Sequence, residues 1–146
     1  MTWLLQLYPR AWRRRYGAEV TAMLAEEPDA VLVDVRTDAE WTYVGLPDLS
    51  SVGKRTIGVM WKSYPDMAVN EGFVDDIRKV GPSPDAAILL LCRSGVRSRS
   101  AAIALTAAGF RRCYNIDGGF EGPCDARGHR GGAAGWKADG LPWEQN

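Results

Sequence analysis

Ala86-Ala87-Ile88-Leu89-Leu90-Leu91-Cys92-Arg93-Ser94-Gly95-Val96-Arg97-Ser98 carries the chain from an unbroken apolar run, through a short polar loop, into a series of small residues that ends at Ala108. The run follows the breaker Gly81-Pro82-Ser83-Pro84, and its continuous apolar character predicts a strand buried on both faces. The small residues predict a helix over 97–108, with Gly109 as a left-handed stop.

A second run of the same kind, Ala30-Val31-Leu32-Val33-Asp34-Val35, predicts another buried strand. Between the two lie a short helix at 38–44, a weaker strand at 56–60 and a helical stretch over 69–80, where Phe73, Ile77 and Val80 mark one face. Residues 111–116 offer a further strand. Ahead of them, Trp12, Tyr16, Val20, Met23 and Leu24 recur at helical spacing over 11–27, arginines and Glu19, Glu26 and Glu27 fill the other face, and Pro28-Asp29 ends the helix. Strands alternating with helices, without hairpin turns, imply right-handed crossovers. The fold class is therefore α/β, a mostly parallel sheet flanked by helices on both faces. From Gly118 to Gly140 glycines crowd the chain, so residues 118–146 predict a long loop that borders the functional site or lacks fixed structure.

The chain has 146 residues, 46% hydrophobic and 25% charged, so residues 1–146 are expected to form one ordinary globular domain without a metal or disulfide staple. Eighteen basic residues balance eighteen acidic ones, which argues against a broad nucleic-acid surface. Cys92, Cys113 and Cys124 form neither a disulfide framework nor a metal pair, and the lone His129 cannot build a metal site with its neighbours. The N-terminal arginines follow the short apolar start, the reverse of a secretory signal, and no apolar run approaches a membrane span. A cytoplasmic protein that binds neither membrane nor nucleic acid is expected.

The loop after Cys92 carries the chemistry. A strand-to-helix turn with glycine and arginines aims backbone N–H groups at one spot, and the helix dipole adds positive potential. A cysteine there is expected to ionise readily and act as a nucleophile. Gly95 permits close approach of the loop, while Arg97 and Arg93 offer guanidinium donors to an anionic substrate. The competing reading is a cysteine that merely ends a buried strand.

Asp34-Val35-Arg36, Glu40-Trp41, the loop from Leu91 to Ser98 and Asn115-Ile116-Asp117-Gly118-Gly119-Phe120 resemble, in order and spacing, the rhodanese (thiosulfate sulfurtransferase-like) domain. The resemblance spans residues 30–120 and extends into the tail through Trp136 and Trp143. It implies a parallel sheet flanked by helices, no metal or organic cofactor, and a catalytic cysteine, here Cys92. That cysteine takes sulfane sulfur from thiosulfate or a related small anionic donor and passes it to cyanide or a thiol, an accepting protein among the candidates. Arg93, Ser94, Gly95, Val96 and Arg97 would then cradle substrate and persulfide. Where the family carries His-Ile-Pro-Gly-Ala, this chain has Gly45-Leu46-Pro47-Asp48-Leu49.

Two rivals stand beside this reading. Cysteine phosphatases and arsenate reductases place arginine six positions after the cysteine, where this chain has Ser98, with Arg97 and Arg99 on either side. A non-catalytic binding module usually lacks the cysteine. Asp34 and Arg36 are expected to form a supporting ion pair at the strand end, with Glu40 as another partner for Arg36. Cys113 is expected to be inert core and Cys124 a bystander thiol, a resolving role being its alternative. His129 is expected on the surface, and Trp136 and Trp143 to anchor the tail.

Overall fold

A computed structural model describes residues 17–63 and 65–145. Trp12 and Tyr16 of the expected leading helix lie outside the described residues. Among the described residues the helix is α1 (Gly17–Glu26), with Val20 and Leu24 buried.

The elements that follow are β1 (Val31–Asp34), α2 (Asp38–Tyr43), β2 (Leu46–Pro47), a 3-10 turn (Ser50–Val52), β3 (Ile57–Gly58), β4 (Lys62–Ser63) and β5 (Ala68–Val69). After them come α3 (Phe73–Val80), β6 (Ala87–Leu91), α4 (Val96–Ala107), β7 (Arg112–Asn115) and β8 (Trp143–Glu144). The central sheet has the order β3-β1-β6-β7, and every pairing in it is parallel. Asp34 lies opposite Leu91, and Leu90 opposite Asn115. The register therefore brings the carboxyl ends of β1, β6 and β7 to one edge, where ligands of open α/β sheets collect.

Strand β6 explains the layering. All five of its residues are buried, and alternate side chains enter different cores. Ile88 and Leu90 join Phe73 and Ile77 of α3 and Ala101 and Leu105 of α4. Ala87, Leu89 and Leu91 join Val20 and Leu24 of α1 with Phe120 and Trp136 of the tail. At roughly 1.5–3 kcal/mol for each fully buried large aliphatic side chain, a strand with both faces covered is the strongest single contribution to such a sheet.

Three expectations change. Val80 is 41% exposed, because α3 ends there and only Phe73 and Ile77 of the expected face are buried. A hairpin is present after all: β4 and β5 pair antiparallel, Lys62 with Val69 and Ser63 with Ala68. A second antiparallel ribbon joins β2 to β8, so the parallel sheet has two small antiparallel attachments. Of the two alternatives for the glycine-rich tail the first holds: it borders the loop after Cys92 along a fixed path, since Phe120 N–H bonds Cys92 O at 2.8 Å, Trp136 N–H bonds Gly119 O at 2.8 Å, and the Trp136 indole N–H bonds Pro142 O at 2.7 Å. Helix α4 stops as expected, with Gly109 at φ 105°. Among the described residues, no helix is long and apolar enough to cross a membrane.

Candidate active site

Cys92 follows the last residue of β6, and its residue is 1% exposed at the floor of a cavity of about 380 Å³. Glu40, Lys62, Met67, Arg93, Ser94, Val96 and Arg97 complete the lining. The Gly95 N–H points at Cys92 Sγ over 3.1 Å, and the Ser98 hydroxyl stands 3.2 Å from the same sulfur. Gly95 takes φ 110°, a left-handed conformation that L side chains avoid, and so turns the chain from strand to helix without strain. The N–H groups of the first turn of α4 lack helical partners by construction, and the sulfur lies at that positive end. The expected nest is thus narrower than a full ring of amides: among the described residues, one backbone N–H and one hydroxyl reach Sγ.

The tail shapes this loop. Phe120 N–H bonds the carbonyl of Cys92, while Glu121 and Gly122 N–H bond that of Arg93 at 2.9 and 3.1 Å. Those carbonyls are turned toward the tail. Such close approach requires Gly119, since a Cβ there would stand 2.5 Å from Cys92 O.

Ser98 is fully buried, and its single hydroxyl proton faces two acceptors, Cys92 Sγ and Asn115 Oδ1. Asn115 donates its amide N–H to Gly95 O at 3.1 Å, which orients Oδ1 toward the serine. Asn115, which the sequence offers only as part of a motif, thereby ties the end of β7 to the active loop.

Arg97 lines the cavity, but its fork is engaged. Its two terminal nitrogens hold both carboxylate oxygens of Glu40, at 2.7 and 2.9 Å. Burial alone would raise the Glu40 carboxyl, yet the hydrogen bonds from Arg97 and Thr37 and the Arg97 charge outweigh it and bring it to about 2. Thr37 and Glu40 also form a capping box at the start of α2. The expected Arg36–Glu40 pair is therefore replaced by Arg97–Glu40, because the fully buried Arg36 is held elsewhere. Its Nε and terminal nitrogen meet Asp34 at 2.9 and 2.7 Å, a further bond of 2.6 Å reaches Gly45 O, and its guanidinium lies 4.4 Å from the Phe120 ring centroid. Asp34 and Arg36 stay beneath the site as an ion pair linking β1, the α2–β2 turn and the tail.

Arg93 and Val96 are exposed at the cavity, Val96 at 73%. Lys62 and Met67, from the hairpin, form a wall that was not expected; the Pro65-Asp66 turn signal between them could have revealed it. Cys113 is buried, and burial pushes its thiol up to about 12, in keeping with an inert core residue. Cys124 and His129 are exposed. Among the described residues, no group of three or more His, Cys, Asp or Glu side chains converges as a metal site.

Comparison with known proteins places the chain. The family profile described as the STR4 middle domain matches residues 12–146. The crystal structure of Rv0390 from M. tuberculosis is 46% identical and superposes with a TM-score of 0.81, covering 88% of this chain and 94% of that one. Rickettsia conorii protein RC0915 is 40% identical over 123 residues, 84% of this chain and 89% of its own length. A protein of Allochromatium vinosum named sulfurtransferase is 28% identical over 119 residues, 82% of each chain. The sheet order, the cysteine at the end of β6 and these matches agree, and the chain belongs to the STR4 middle domain family of rhodanese-like domains.

Proposed function

We propose that the protein is a sulfurtransferase whose Cys92 carries sulfane sulfur as a persulfide. The observation that carries this reading is the placement of Cys92 Sγ on the cavity floor, at the N-terminal end of α4, with the Gly95 N–H and Ser98 hydroxyl directed at it. The sulfurtransferase name of the Allochromatium relative supports it.

The Cys92 thiolate forms a bond to the outer sulfur of thiosulfate, the bond from that sulfur to the sulfonate sulfur breaks with its electron pair, and sulfite leaves. Cyanide or a thiolate then attacks the terminal sulfur, and the persulfide S–S bond breaks with its pair returning to Cys92. Two separate half-reactions predict ping-pong kinetics. The N–H of Gly95 and the positive end of α4 favour negative charge on sulfur throughout, without rearrangement between steps. A reducing, cytoplasmic setting would keep the free thiol available.

Phosphoryl or arsenate chemistry fits less well, because Ser98 occupies the position where those enzymes hold arginine and Arg97 is clasped by Glu40. Intact-mass measurement after thiosulfate treatment tests the proposal. Wild type should gain one sulfur atom that cyanide removes, and Cys92→Ala should gain none and transfer none. An unmodified wild type, or a Cys92→Ala protein that still transfers sulfur, would refute it.

A further inference from the structure

We propose that Lys62, projecting from the β4–β5 hairpin, holds together with Arg93 the anionic group of the sulfur donor, so that the site selects donors bearing a sulfonate or carboxylate. The donor role rests on the transfer reading above; the anion site itself does not.

Charge accounting in the cavity carries the argument. Four charged side chains line it: Glu40, Lys62, Arg93 and Arg97. Glu40 and Arg97 cancel, being joined through both carboxylate oxygens and both terminal guanidinium nitrogens. Lys62 and Arg93 have no anionic partner among the described residues, and the lining holds no second carboxylate to serve them. Two uncompensated cations beside a nucleophilic sulfur raise the local concentration of anions and favour anionic ligands over neutral ones.

The backbone that carries Lys62 is also held in place. Trp61 N–H bonds Val35 O at 3.0 Å, just beyond β1, and Asn70 N–H bonds Trp61 O at 2.7 Å from the other arm of the hairpin. The Trp61 ring packs edge-on against Phe73 with centroids 5.2 Å apart. The hairpin base is thus fixed to the sheet edge that bears Cys92. An ammonium is a point charge with three rotatable donors, so it suits sulfonate and carboxylate alike. Met67 and Val96 supply apolar contact for the body of an organic donor.

The test separates binding from transfer. In a Cys92→Ser background, where no persulfide can form, thiosulfate binding is measured by calorimetry at low ionic strength. Adding Lys62→Gln should weaken binding about tenfold, adding Lys62→Arg should leave it within about threefold, and added salt should narrow the difference. In the protein with Cys92 intact, Lys62→Gln should lower the preference for thiosulfate over an esterified organic persulfide, whose only charge sits on the transferred sulfur, by about tenfold, with Lys62→Arg restoring it. A carboxylate-bearing persulfide run beside thiosulfate shows which anion the site prefers. Equal binding with and without Lys62→Gln, or no binding by Cys92→Ser at all, overturns the inference even if wild type forms a persulfide. Lysine-dependent binding by Cys92→Ser with no persulfide on wild type would instead uphold the anion site and overturn the transfer reading.

Discussion

At Ser98 a single proton must serve two acceptors. When Cys92 is a thiol, its S–H can give to Ser98 Oγ while the serine gives to Asn115 Oδ1; when the sulfur is anionic, the serine proton is worth more on sulfur. A hydrogen bond to a charged group contributes about 1.5–3 kcal/mol, so Ser98→Ala should slow persulfide formation by about tenfold to a hundredfold. Asn115 Oδ1 would lose its buried partner as well, so folding should be checked by the urea midpoint, and Ser98→Thr should recover part of the rate. Stopped-flow sulfite release reads the effect, and an unchanged rate in Ser98→Ala would remove the serine from the mechanism. Cys92 was legible from its neighbours alone, because an apolar strand running into a glycine-and-arginine loop is local information. Asn115 and Glu40 were not, because their roles depend on partners far along the chain: Arg97 reaches Glu40 across 57 positions, and Ser98 reaches Asn115 across 17.

The Arg97–Glu40 contact joins two elements, the start of α2 and the first turn of α4, and it makes the acid stability of the fold predictable. Unfolded, the Glu40 carboxyl titrates near its ordinary value of 4.5, whereas Arg97 and Thr37 hold it at about 2 in the fold. The folded state therefore binds the proton more weakly. The stabilisation is complete above about 4.5 and drains away as pH falls toward 2, with up to one proton taken up on unfolding. Glu27, held down by its hydrogen bond from Arg112, adds to the same trend. Urea midpoints between pH 7 and pH 2.5 should show Glu40→Gln less stable than wild type at neutrality, with the gap closing toward pH 2.5. A gap independent of pH would mean that the contact contributes nothing through charge. Among the elements, β1, β6, α3 and α4 were legible because each carries its own apolar pattern or stop signal. The ribbons β2–β8 and β4–β5 escaped, since two-residue strands, mostly partly or fully exposed, offer no period to read.

Across the whole molecule, the tail decides whether the site is one object or two. Glycine crowding after Asp117 correctly signals an absence of long elements, but the sequence is silent on backbone pairing, which here joins Phe120, Glu121 and Gly122 to the active loop. Trp136, 1% exposed, packs in the same cluster as Leu32, Leu89 and Phe120, so the tail is part of one of the two cores rather than a cover laid over it. Residues that share a buried cluster lose their contacts together, and calorimetry should accordingly show a single unfolding transition with equal calorimetric and van't Hoff enthalpies. Trp136→Ala removes the largest fully buried side chain among the described residues and should cost about 3–5 kcal/mol, lowering the temperature of that one transition without splitting it. Trp136→Phe should cost less, since much of the volume is kept, although the indole bond to Pro142 O is lost. Because Phe120 N–H holds Cys92 O, sulfur transfer and the core should melt at the same temperature in each variant. A tail that unfolds in a separate, earlier transition, leaving a folded core, would contradict this coupling. Sulfur transfer surviving that transition would show that the active loop keeps its shape without the tail.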